Sequence, residues 1–198
     1  NELTGSIETG EIDSLLSGIR KEWDFEKPAD ENFLRKGITY YLALRKIVQE
    51  KKLDAVSLKD VDGMKKLLSF PPAMIFMLLS DEMNICTIPE NDAMGAVTQL
   101  IVKKITGQCA AYLEFYEFFE KSLLLGVPDF VPAEVVEGKV KVTPAAFGNI
   151  SGGLLNISTM KTGKMTLARL SNTGDRYTMH ICTGEGRLKS WEEAGWTQ

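Results

Sequence analysis

Two glutamates stand where a cation or a proton-transfer step could use them. Apolar runs at 54–58, 84–88 and 109–113 read as short buried strands. Charged residues follow each run: Lys59 and Asp60 after the first, Glu90 two residues beyond the second, Glu114 directly after the third. In an open parallel sheet, ligands bind in the crevice beyond the carboxyl ends of the strands. Neighbouring strands lie about 4.8 Å apart, so Glu90 and Glu114 on adjacent strands can converge on one point. Two carboxylates there suit a hard divalent cation or general acid–base chemistry. A structural role competes, because acidic residues ahead of a helix also favour the positive end of its dipole.

The elements that must position this pair are readable from periodicity. Ile12, Leu15, Leu16, Ile19 and Trp23 recur at helical spacing, and the polar break with Pro28 ends that helix. Asp30 is placed to cap a second, long amphipathic helix reaching about Lys51, marked by Phe33, Leu34, Ile38, Tyr41, Leu42 and Val48. Helical patterning continues through Met64, Leu67 and Leu68. Pro71 and Pro72 then open a helix from Ala73 to Asp81, where a missing donor costs nothing. Asn91 or Asp92 caps a further helix that Thr106 and Gly107 terminate. Three short strands alternating with helices predict an α/β fold, a parallel sheet covered by helices on both faces.

Beyond about Val127 the helical pattern gives way to strand-like runs at 139–142, 154–159, 164–170 and 176–183. Glycine turns at Gly152-Gly153, Gly163 and Gly174 separate them. This texture predicts a small antiparallel β-barrel domain, with a division into 1–126 and 127–198. The glycine-rich stretch Gly148-Asn149-Ile150-Ser151-Gly152-Gly153 lacks dinucleotide-binding spacing and reads as a turn.

Composition narrows the partners. The 198 residues carry 27 acidic and 23 basic side chains, a net charge of −4 with no basic stripe, which argues against nucleic acid. The longest apolar stretch, 73–79, falls far short of the roughly 20 residues of a membrane span. With no signal-peptide pattern at 1–10, a cytoplasmic location is expected. Cys86, Cys109 and Cys182 are odd in number and widely spaced, and read as buried thiols. The sole histidine, His180, lies in a predicted strand and reads as a hydrogen-bonded structural residue. The aromatics Tyr112, Phe115, Tyr116, Phe118 and Phe119 suit packing at a junction, or the lining of a sugar site.

Three segments carry a family resemblance. Leu53-Asp54-Ala55-Val56-Ser57-Leu58, Phe70-Pro71-Pro72-Ala73 and Pro89-Glu90-Asn91-Asp92-Ala93-Met94-Gly95-Ala96 occur in the order and spacing of the middle domain of the L-fucose and L-arabinose isomerase superfamily, which they resemble. Lys161 to Leu170 and the closing Trp191-Glu192-Glu193-Ala194-Gly195-Trp196 are similar to its C-terminal barrel. The resemblance implies metal-ligand and proton-transfer roles for Glu90, and for Glu114 at the end of Ala111-Tyr112-Leu113. It implies Mn²⁺ as cofactor, a small-molecule sugar as substrate, aldose–ketose isomerisation through an enediol, and a homo-oligomeric full-length protein. The family's N-terminal domain would then be missing from this chain. The family completes its metal site with histidine, where this chain has Val127. A non-catalytic sugar-binding or regulatory relative that has lost the metal site is the alternative.

Overall fold

The computed structural model describes residues 2–126, 130–147 and 151–189. Helix α1 (Glu2–Gly5) precedes α2 (Thr9–Glu22), which buries Leu16 and Ile19, and a short strand β1 (Asp24–Phe25) follows. In α3 (Glu31–Lys51) the expected cap forms, with Asp30 Oδ1 accepting from the Phe33 N–H at 3.0 Å. That satisfies one of the donors a helix start leaves open. Its apolar stripe, from Leu34 through Ile38, Tyr41 and Leu42 to Val48, is buried.

After β2 (Ala55–Ser57) the chain forms a π-helical turn, Asp60–Lys65, then α4 (Lys66–Leu68) and α5 (Ala73–Met83). Every residue of α5 from Ala73 to Ser80 is buried, so it is apolar all round, as a central helix must be. It packs on α3, which comes close at Gly37: a Cβ there would lie 2.6 Å from Met74 Sδ and 2.8 Å from Phe70 Cζ. Next come β3 (Cys86–Ile88) and α6 (Ala93–Thr106), capped by Asp92 and ended by Gly107 at φ 72°.

The sheet expected from the sequence is not built. Of the three expected strands only the first two pair, β2 with β3 in parallel, Ala55 with Cys86 and Ser57 with Ile88. The run 109–113 does not join them; its strand starts later, as β4 (Glu114–Phe118), and pairs antiparallel with β5 (Leu123–Gly126). The reason lies in the backbone groups of the run. Side chains take up two of them: the Ala110 carbonyl accepts from Gln99 Nε2, and the Cys109 N–H donates to Glu134 Oε1 at 3.2 Å. Groups so occupied are not available to a ladder.

The closed barrel is absent too among the described residues. Strands β6 (Lys141–Phe147) and β7 (Ser151–Asn156) make a three-stranded sheet in the order β1-β6-β7, and β8 (Gly163–Asn172) and β9 (Tyr177–Gly186) pair only with each other. Ten residue pairs, from Gly163 with Gly186 to Asn172 with Tyr177, form that last hairpin. Gly174, at φ 94°, sits in its turn as the sequence predicts. Gly152 and Gly153 lie instead within β7, opposite Ala146 and Ala145. Residues 148–150, between the two strands, lie outside the described residues.

One apolar cluster unites the parts. Phe130, Val131, Val136, Val140, Val142 and Leu154 are buried together with residues of α2, α3 and α5, and the Phe76 and Phe130 rings stack at 5.1 Å. Cys86 is buried, but Cys109 is half-buried and Cys182 exposed on the β8–β9 hairpin, so the thiols do not share one environment. Phe115, Phe118 and Phe119 are exposed rather than packed, Phe118 at 70%. No helix among the described residues is long and apolar enough to cross a membrane.

Candidate active site

The parallel pair β2–β3 delivers two of the charged residues to one place. Asp60 opens the π-helical turn just beyond β2, and Glu90 lies two residues beyond β3. Asp60 Oδ1 accepts the Glu90 N–H at 3.1 Å, and the Asn91 N–H donates to the Leu58 carbonyl at 2.9 Å. These bonds hold an unusual turn. Glu90 and Asn91 have φ 64° and 57°, consecutive non-glycine residues in the left-handed region. Each such residue costs about 1–2 kcal/mol relative to right-handed backbone. Asp60 is itself buried and paired with the buried Lys65, whose Nζ donates to Oδ2 at 3.2 Å.

Glu114, half-buried, opens β4, which belongs to a different sheet. The Glu90 carboxyl is raised above the ordinary range by partial burial, then by the negative charge of Glu114 and of Asp60, while Lys65 works the other way. A hydrogen bond between the Glu90 and Glu114 side chains adds to the upward shift. Glu114 is thus within electrostatic reach of Glu90, but it opens β4, in a different sheet, rather than following a strand that neighbours β3.

A second cluster adjoins them. Asp92 caps α6 through the Gly95 N–H at 2.8 Å and forms a two-pronged ion pair with Arg169 of β8, one contact at 3.2 Å. Burial opposes ionisation of Asp92, but the Arg169 guanidinium, the Gly95 N–H and the Tyr112 hydroxyl together hold its carboxyl below the usual range. Gly95 makes this closure feasible: a Cβ there would sit 2.6 Å from Asp92 Oδ2 and 3.2 Å from Arg169 Nη1. The Leu170 N–H donating to Thr98 Oγ1 at 2.9 Å seats β8 on the same helix. Burial, then Asp92, Glu90 and Glu114, push the Tyr112 hydroxyl up to about 12, so it stays a hydrogen-bond donor at neutral pH.

No protein-family model and no curated protein matches this chain. What the site can do must therefore be argued from its own side chains.

A hard cation seeks oxygen ligands, and the charge repulsion that raises Glu90 is what a divalent cation would relieve. Glu90 and Glu114 fit it as two carboxylate ligands. Among the described residues no group of three His, Cys, Asp or Glu side chains is placed to hold a metal, so water or substrate oxygens would fill the other positions. His180 does not supply one: it lies opposite Arg169 on the β8–β9 hairpin, with Nε2 2.9 Å from Ser171 Oγ, the hydrogen-bonded role expected of it. Val127 and the segment 191–196 lie outside the described residues.

Lys65 and Arg169 were not picked out from the sequence as site residues. Lys65 carried a signal, a cation between the apolar Met64 and Leu67 on a segment patterned for burial. Arg169 carried none, since its partner Asp92 is 77 residues away.

Proposed function

We propose that this chain carries the carboxylate pair of a metal-assisted aldose–ketose isomerase acting on a small-molecule sugar, related to the L-fucose and L-arabinose isomerase superfamily its segments resemble. The observation that carries the reading is that the Glu114 charge is felt at the Glu90 carboxyl and raises it, with Glu90 held in the turn beyond β3 by the Asp60 carboxylate. A Mn²⁺-type cation held by both would polarise the carbonyl and hydroxyl oxygens of the sugar. Glu90 is the better proton carrier, because a carboxyl raised toward neutrality accepts and returns a proton more readily. It would take the proton from C2 of the aldose as the enediol forms and return it to C1, while a second proton passes from the O2 hydroxyl to O1. Glu114 keeps Glu90 proton-avid, and Tyr112 offers a neutral donor beside them. A homo-oligomeric full-length protein and a cytoplasmic location belong to the same proposal.

The test is twofold. Calorimetry on the full-length protein is expected to detect Mn²⁺ binding that Glu90→Gln and Glu114→Gln each weaken by at least about tenfold, the scale of losing one of two charged ligands. Incubation with a panel of aldoses is expected to yield ketose, and Glu90→Gln to abolish it. Undiminished turnover in Glu90→Gln would sink the reading, and absent metal uptake by the parent protein would favour a non-catalytic sugar-binding relative.

A further inference from the structure

We propose that Asp60 is the positioning residue of this site, holding Glu90 in the left-handed conformation that sends its carboxylate to Glu114. The inference rests on the isomerase reading for its consequence, but its structural core stands on three observations. First, the turn after β3 places two non-glycine residues in succession at positive φ, Glu90 and Asn91, where glycine would be free of strain. A glutamate kept in such a place is there for its side chain, and something must hold its backbone.

Second, the hold is visible. Asp60 Oδ1 accepts the Glu90 N–H at 3.1 Å, while its other oxygen accepts from Lys65 Nζ at 3.2 Å. The carboxylate is thus fixed from both sides, with one oxygen for the catalytic turn and one for its own anchor. Third, the anchor is buried, Asp60 at 3% and Lys65 at 8% exposure. A buried ion pair is a poor way to stabilise a fold compared with apolar packing, so its presence beside a strained turn calls for a positional role. Asp60 and Lys65 also bracket one π-helical turn, a five-residue spacing that aims both side chains the same way.

Asp60 itself touches no substrate in this account; it acts through the Glu90 backbone. Asp60→Ala alone would take one carboxylate from the buried Lys65 ammonium and destabilise the chain, so the comparison is between two double variants of the full chain. Lys65→Met with Asp60→Asn keeps an oxygen acceptor for the Glu90 N–H, and Lys65→Met with Asp60→Ala removes it. Both lose the buried ion pair equally. Crystal structures of the two are expected to show Glu90 at positive φ against Glu114 in the Asn variant, and Glu90 turned away in the Ala variant. Kinetically, the Ala variant should fall at least about tenfold below the Asn variant in kcat, with KM changed less. A Glu90–Glu114 contact that persists in the Ala variant overturns the proposal whatever the turnover. Equal kcat in both variants of an active parent overturns it as well. A parent protein with neither Mn²⁺ uptake nor turnover ends the isomerase reading, and separation of the glutamates in the Ala variant alone then still establishes the positioning role.

Discussion

Glu90 pays for its place twice, in backbone and in charge. Its left-handed φ is strained, and its carboxyl is raised by partial burial and by Glu114 and Asp60, so ionising it in the folded protein is unfavourable relative to the unfolded chain. The pH dependence follows from that direction. A raised acid makes the folded state bind its proton more tightly, so this contribution favours the fold below the ordinary glutamate range, near pH 4, and is lost as pH rises through the raised value. Glu90→Gln removes the effect without changing shape. The variant is expected to match the parent in thermal melts at about pH 4 and below and to exceed it at about pH 8. Because the side chain is largely exposed and its charge screened, the gain should be about 0.5 kcal/mol, or about 1–2 °C. A variant less stable than the parent at about pH 8 would contradict the charge repulsion. The same substitution should remove turnover, the usual trade between a strained site and a stable one.

At the scale of elements, two glycines in helices make opposite predictions. Gly37 on α3 lies under Phe70 and Met74, and an added Cβ would approach both within 3 Å; Gly18 on α2 has nothing within 4 Å of its Cβ position. Alanine is favoured over glycine in a helix interior by about 1 kcal/mol, while overpacking a close helix contact costs about 1–3 kcal/mol. Gly18→Ala should therefore raise the melting temperature by about 2–4 °C, and Gly37→Ala should lower it by a similar amount. Differential scanning calorimetry checks both, and a Gly37→Ala protein stabilised as much as Gly18→Ala would refute the close α3–α5 contact. Helices of this kind were legible from sequence because their signals are local: the Asp30 cap, the Asp92 cap, the Gly107 stop and the apolar stripes fall where periodicity puts them. Strands β2 and β3 were legible for the same reason, as short apolar runs, and with them the strand-end positions of Asp60 and Glu90. The run 109–113 misled because an apolar stretch says nothing of where its backbone groups bond, and Gln99 and Glu134, distant in sequence, take them. The Asp60–Lys65 clamp escaped for a related reason. Its two residues are five apart in sequence, but the Glu90 amide it holds is 30 residues away.

For the molecule as a whole, the consequential feature is the shared core. The change of texture near Val127 predicts two domains, yet β1 pairs with β6, Asp24 opposite Lys141, and six residues beyond 126 are buried with α2, α3 and α5. Alternating strands and helical stripes locate elements; they do not say which apolar faces meet, and that is why the sheet and barrel of the sequence reading give way to several small sheets around central helices. The shared core makes a physical demand on any fragment. Burying a large apolar side chain stabilises a fold by about 1.5–3 kcal/mol, so losing Phe130, Val131, Val136, Val140, Val142 and Leu154 removes on the order of 10 kcal/mol. That is comparable to the whole stability of a typical domain, about 5–15 kcal/mol. The Phe76 ring, fully buried on α5, would lose its stacking partner, and β1 its pairing with β6. A chain ending at Gly126 is therefore expected to retain helical far-ultraviolet dichroism but to show no near-ultraviolet signal and no cooperative melt, while residues 1–198 melt in one transition. A sharp transition in the 1–126 chain near the parent temperature would mean that its helices close a core without the later strands, and would support a boundary at 126.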